Sequence, residues 1–200
     1  MKKRNRGWII TVIIIALVII GVVRWGIRTY NGFVSMEEGV EGQWAQVEAS
    51  YQRRADLIPN LVATVKGYAE HERETLTGVI EARAKATSVT IDPSNITPES
   101  LAAFQQAQDG LSSALSRLMV TIERYPDLKA NQNFLALQDQ LEGTENRINF
   151  ERKKFNDLTR NYNAGIRKFP ASVIANMQDF EKRVYFEAAE GSDVAPTVEF

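Results

Sequence analysis

The sequence predicts an all-α protein, with an N-terminal transmembrane helix followed by an antiparallel up-and-down four-helix bundle whose first helix is long. Three features carry that prediction. Trp8 to Val23 is a sixteen-residue run without a charge, immediately preceded by Lys2, Lys3, Arg4 and Arg6. Beyond it, apolar residues recur at steps of three and four, the spacing of one helical face. No stretch shows the apolar and polar alternation of a half-buried strand, and no internal repeat competes.

At roughly 1.5 Å per residue the uncharged run covers about 24 Å, short of a hydrocarbon core of about 30 Å. Extending it to Ile27 closes the gap. That extension takes in Arg24, which can snorkel from a helix end, and leaves Trp8 and Trp25 at the two interfaces, where indole rings prefer to lie. Residues 8–27 are therefore expected to meet membrane lipid, with Trp8, Arg24 and Trp25 as the interface set. Four Lys/Arg precede the span, whereas Arg24 and Arg28 are the only basic residues in the twenty or so after Val23, so the positive-inside rule leaves residues 1–7 as a short cytoplasmic N-terminus and the rest outside, as a single-pass membrane protein. A cleaved signal peptide is the competing reading. The run is long for an h-region, and Gly21-Val22-Val23-Arg24-Trp25 offers no small-x-small cleavage site, which favours the anchor.

Composition narrows the rest. The chain of 200 residues leaves one domain's worth after the span, expected at 28–189 with a C-terminal tail at 190–200. Lys2, Lys3, Arg4 and Arg6 supply four of the 24 basic residues, leaving 20 against 25 acidic ones, so the overall charge of −1 becomes −5 beyond them. A mildly acidic domain is a poor match for nucleic acid, whose binding rests on neutralising phosphates. There is no cysteine, which excludes disulfides, thiolate nucleophiles and Cys-ligated zinc.

The first helix carries Tyr30, Phe33, Val40, Trp44, Val47, Tyr51, Ile58, Leu61, Val65, Tyr68, Leu76 and Val79 in one stripe. The stripe keeps its phase across Pro59, so that proline reads as a kink that loses the backbone bond to Ala55. Ala86 to Thr97 loses the period and reads as a loop. Thr97-Pro98-Glu99 then reads as an N-cap, a proline at the first position and an acid in the first turn of a second helix, with Leu101, Phe104, Leu111, Leu115, Leu118 and Ile122 inward and Gln108 among them. Tyr125-Pro126-Asp127 ends it, and Pro126 can open the third helix. There Phe134, Leu141, Ile148, Phe155, Tyr162 and Phe169 fall seven apart, the repeat of left-handed supercoiled packing, with Thr144 and Glu151 as polar positions at its centre. Pro170 ends it. A short fourth helix is expected to present Val173, Met177, Phe180 and Val184 on one face, before a tail with Val194, Val198 and Phe200 as contacts.

QRRADLIPNLVATVKGYAEHE, Gln52 to Glu72, and YPDLKANQNFLALQDQLEGTENRINFERKKFNDLTRNYNAGIRKFP, Tyr125 to Pro170, together resemble the LemA family of bacterial membrane-anchored helical proteins. The likeness begins near Tyr30-Asn31 and reaches Tyr185-Phe186-Glu187, leaving aside the loop near Ala86 to Thr97. The resemblance implies one membrane helix and an antiparallel four-helix ectodomain. It implies no established activity.

Among candidate sites, His71 lies between Glu70, Glu72 and Glu74, but a di-iron bundle needs Glu-x-x-His on two helices, and Tyr68 stands three before this single histidine. A solvated charged face is the simpler reading. No G-x-S-x-G elbow occurs. Arg54, placed on the first stripe, is expected to meet Glu151 near Thr144, forming an interhelical polar core that fixes register. Arg152-Lys153-Lys154 and Lys66 read as solvated surface, being too few for a lipid-reading cluster. Trp44 is expected to be buried, with an interaction surface as the other possibility. No catalytic, cofactor or metal residue is assigned, and the expected role is a non-enzymatic scaffold or adaptor for an envelope protein partner. Two alternatives stand beside it: an extracytoplasmic small-ligand sensor working through a membrane partner, and a hydrolase using carboxylates such as Glu145 and Glu151.

Overall fold

The computed structural model describes residues 4–69 and 71–186; residues 1–3 of the expected N-terminal segment, Glu70, Glu187, and the tail with Val194, Val198 and Phe200 lie outside the described residues. The described chain is helical, with α1 at Arg4–Lys66, α2 at Arg73–Ser88, α3 at Pro98–Ile122, α4 at Pro126–Lys129, α5 at Gln132–Arg167 and α6 at Ala171–Met177. It divides into two compact units. One contains the chain up to Val40 together with Leu158–Arg183, and the other Glu41–Asp157 together with the segment from Val184.

In the first unit, α1 begins with the apolar run, whose large side chains from Trp8 to Val23 are exposed to their surroundings. This is the one described helix long and apolar enough to cross a membrane. Further along, Phe33, Tyr162, Ile166 and Ala175 are buried. Gly165 permits the approach of α5 to α1, since a Cβ there would stand 3.2 Å from Met36 Sδ. Phe180 packs on Tyr30 and Phe33 with ring centroids at 5.6 and 5.4 Å. The fourth helix is shorter than expected. Asp179 takes a left-handed φ of 54° soon after α6 ends, and Val173 and Met177 are exposed where the sequence placed them inward with Phe180.

In the second unit, Ile58, Leu61 and Val65 of α1, Leu76 and Val79 of α2, Leu111, Leu118 and Ile122 of α3, and Phe134 and Leu141 of α5 share one core. The expected first helix does not run on to Val79. It stops at Lys66, where the amides of Tyr68 and Ala69 both turn back to Val65 O at 3.0 and 2.9 Å, and the chain re-enters a helix at Arg73. The apolar period survives the break because the end of α1 and the whole of α2 line the same core, so periodicity alone does not register the turn.

Pro59 lies inside α1 without ending it. The carbonyl of Ala55, which its missing amide leaves open, accepts instead from Arg83 Nε of α2 at 2.7 Å. α2 continues to Ser88, so the loop begins three residues later than expected, and Asp92 Oδ1 tightens it by accepting from the Ser94 amide and hydroxyl at 2.9 and 2.7 Å. Thr97 caps α3 through a reciprocal capping box: Thr97 Oγ1 accepts from the Ser100 amide, and Ser100 Oγ from the Thr97 amide. The expected third helix is interrupted at Ala130-Asn131, and Asn131 Oδ1 then caps α5 by accepting from Phe134 N at 3.0 Å. Along α5 the seven-residue series is buried from Phe134 to Tyr162. Phe169, two residues past the helix, is 84% exposed.

Candidate functional site

In the second unit the buried polar residues Gln43, Ser50, Arg54, Gln108, Thr144 and Glu151 lie on α1, α3 and α5. Arg54 is buried on α1. Its Nη1 donates to Glu145 Oε2 and to Ser112 Oγ, both at 2.9 Å, and its Nη2 donates to Gln108 Oε1 at 2.8 Å and Gln108 O at 3.2 Å. Gln108 Nε2 in turn donates to Ala86 O, near the C-terminus of α2, at 3.2 Å. One guanidinium thereby ties three helices together and reaches the fourth through Gln108. Its plane also lies over the Tyr51 ring at 5.1 Å, and burial is the main cause that pushes the Tyr51 phenol up. Arg54 Nε is buried without a partner.

Glu151, buried on α5, belongs to a separate cluster. It accepts from Gln43 Nε2 and from Arg147 one turn before it, whose side chain is largely exposed. The expected Arg54–Glu151 pair is not formed, and register is the reason. Gln43 meets Glu151 while Arg54 meets Glu145, so α1 and α5 run antiparallel here. The distance along α1 from Gln43 to Arg54 is about 16 Å, beyond the reach of an arginine, and the arginine leans back toward its own N-terminus, which selects Glu145. Thr144 is buried between the clusters but joins neither, since its hydroxyl donates to Gln140 O at 2.7 Å within its own helix.

Trp44 is fully buried, edge-on to Phe104 and Phe155 at 5.3 and 5.7 Å and stacked on Phe186 at 5.7 Å. Phe186 is held by its backbone: Asn156 Nδ2 donates to Phe186 O at 3.0 Å and Asn156 Oδ1 accepts from Phe186 N at 2.9 Å. In the first unit Asn163 makes the same clasp on Arg183 at 2.8 and 2.9 Å, and Arg183 donates to Glu37 at 2.8 Å. The Tyr162 phenol is pushed up to about 12, first by burial and then by the Glu37 carboxylate. Sequence reasoning missed these clasps. Their signal is two asparagines seven apart, each directly after an inward aromatic of the α5 series.

His71 is exposed. Its neighbour Glu72 is occupied by Arg124 and the Tyr125 hydroxyl, both at 2.9 Å, and that hydrogen bond is the main cause raising the Tyr125 phenol. Among the described residues no three His, Asp or Glu gather as metal ligands. Glu145 and Glu151 belong to the two different clusters and do not form a carboxylate dyad. Trp8, Arg24 and Trp25 all lie exposed along the apolar part of α1. A cavity of about 600 Å³ opens beside Arg54, with Ser112, Ser116, Met119, Leu141 and Glu145 in its wall.

The LemA family model matches residues 43–200, a span that begins at the glutamine bonded to Glu151 and takes in both polar clusters. The chain belongs to the LemA family. Among curated LemA-like relatives, it is 26% identical to the magnetosome protein MamQ of Magnetospirillum gryphiswaldense over 82% of this chain and 66% of that protein, just under two thirds of its length. It is 24% identical to the magnetosome protein MamQ 2 of Paramagnetospirillum magneticum, over 96% of this chain and 77% of the relative. It is 22% identical to protein LemA of Metamycoplasma hominis, over 80% and 69% of the two chains.

Proposed function

We propose that this LemA-family chain is a non-enzymatic scaffold of the bacterial envelope, anchored by residues 8–27 with its N-terminus in the cytoplasm, and holding partner proteins on an extracytoplasmic helical bundle. The observation that carries the reading is the continuity of α1, whose 63 residues include both the apolar run and the packed stripe ending at Val65. A scaffold needs its binding surface tethered close to its anchor, and the sequence between the two holds no Gly/Ser-rich linker. The buried charges support the same reading. Arg54 and Glu151 are each bonded to side chains of a neighbouring helix, the pattern of polar pairs that specify helix register. The resemblance to proteins named for the magnetosome is compatible with a structural role at a membrane.

In-cell photocrosslinking tests it, with the probe in full-length protein at Lys66, Ile80, Val120 or Lys153, all exposed. A discrete envelope protein captured from one face, and lost when charges on that face are reversed, is the expected result. Recovery of only the chain itself from every position would refute the scaffold. A ligand-sensing role is the second reading, favoured by the open groove of about 600 Å³ lined by Arg54, a size within the range of small-molecule sites. It requires a ligand that raises the melting temperature of the parent and not of Ser116→Trp, which fills the cavity.

A further inference from the structure

The first unit contains an exposed apolar stripe that its own packing does not explain. Phe169, Val173 and Met177 recur every four residues through the turn before α6 and along α6, and they are 84%, 49% and 69% exposed. The opposite side of α6 is the packed one: Ala175 is buried, and Ile174 reaches α1. Where it reaches α1 fixes the level of the stripe. A Cβ on Gly26 would stand 3.8 Å from Ile174 Cδ1, whereas nothing lies within 4 Å of a Cβ on Gly21 or Gly32. Gly26 is the penultimate residue of the expected span at 8–27. Phe180 returns the chain to Tyr30 and Phe33, so α6 is bracketed against the first turns beyond the apolar run.

We infer that α6 and the turn before it form an interfacial element, with Phe169, Val173 and Met177 immersed at the acyl and headgroup boundary of the bilayer that α1 crosses. The occupant is lipid because Ile174 seats α6 against Gly26, inside the expected span, and because exposed cations flank Gly26 and precede Phe169 in the chain. Arg24 and Arg28 on α1, and Arg167 and Lys168 immediately before Phe169, are all exposed. An apolar face with a basic margin is the arrangement by which interfacial helices bind anionic headgroups while sinking a few ångströms into the acyl region. Two contacts with one bilayer, a span and a surface element, would set the tilt of α1, which a single helix leaves free. The inference rests on the reading of residues 8–27 as a membrane span.

The test exploits the absence of cysteine from the chain. Single cysteines at Phe169, Val173 or Met177, at Leu17 in the span and at Asn161, exposed on α5, are labelled with a nitroxide in full-length protein. The proteins are reconstituted into vesicles of phosphatidylcholine and phosphatidylglycerol, and collision rates are measured with lipid-soluble oxygen and a water-soluble nickel chelate. Labels at Phe169, Val173 and Met177 should all show an oxygen-to-nickel ratio above that at Asn161 and below that at Leu17. A lipid-like ratio at Leu17 with the Asn161 ratio at the α6 positions overturns this inference and leaves the span standing. Protection from both reagents at the α6 positions means that protein covers the face and also overturns it. A water-like ratio at Leu17 refutes the span itself, and the inference with it.

Discussion

Replacing Glu145 by alanine should destabilise the protein more than replacing Arg54, although Glu145 is the exposed member of the pair. Its side chain is 48% exposed and that of Arg54 3%. Without Glu145 the guanidinium keeps its neutral acceptors on Ser112 and Gln108 but stays buried with no countercharge. Removing one partner of a buried pair costs about 3–5 kcal/mol, and water reaching the Glu145 side places this case near 3 kcal/mol. Arg54→Leu leaves a different residue of cost. Gln108 Oε1 loses its donor, at about 1–3 kcal/mol, while Glu145 turns to water, Ser112 Oγ retains its bond to Gln108 O, and the buried leucine offsets part of the loss. A net of about 1 kcal/mol is expected. Adding Arg54→Leu to Glu145→Ala should therefore recover about 2 kcal/mol. The assay is urea unfolding in detergent micelles, followed by Trp44 fluorescence in a Trp8→Phe/Trp25→Phe background, where the one remaining tryptophan is fully buried. In thermal melts 3 kcal/mol corresponds to a drop of roughly 6–12 °C for a domain of this size. If the double variant is as unstable as Glu145→Ala, buried charge is not the cause and the reasoning fails.

Three other outcomes follow from the geometry. Arg83→Leu should cost about 1–2 kcal/mol by stranding the Ala55 carbonyl, and much less in a Pro59→Ala background, where the restored amide can take that carbonyl; equal costs in both backgrounds would remove Arg83 as the helix's substitute donor. The Tyr162 phenol is raised to about 12 in the folded state against an ordinary value of about 10, so its contribution to stability is fully present below about pH 10 and is lost as pH rises toward 12. Tyr162→Phe should accordingly flatten part of the alkaline fall in urea midpoint and remove one late-titrating phenol from the absorbance titration. Thr97→Ala should cost about 1 kcal/mol in urea unfolding through loss of the α3 capping box, and Thr97→Ser should restore most of it.

Much of this architecture was legible locally. The apolar run, the Thr97-Pro98 helix start, Pro59 carried inside α1, and the buried series Phe134, Leu141, Ile148 and Phe155 all depend on short-range pattern and backbone chemistry. The burial of Arg54, Thr144 and Glu151 was legible too, because helical phase places a residue on a face whatever its chemistry. Which charge meets which was not legible. Phase fixes the direction of a side chain around its helix, whereas pairing depends on how far antiparallel helices are slid along each other, and a shift of a few residues exchanges Glu151 for Glu145. The same reason hid the turn after Lys66, since two helices facing one core continue one apolar rhythm, and the fate of Phe169, which keeps the seven-residue spacing after α5 has ended and so emerges exposed. Sequence alone therefore determined the helical class, the membrane-length run and the inward faces, which are local properties of the chain. Only tertiary packing decided the Arg54–Gln108–Glu145 network, the Arg83 bond to the carbonyl freed by Pro59 and the clasp of Asn156 on Phe186, because each joins residues distant in the chain through a register that no local pattern encodes.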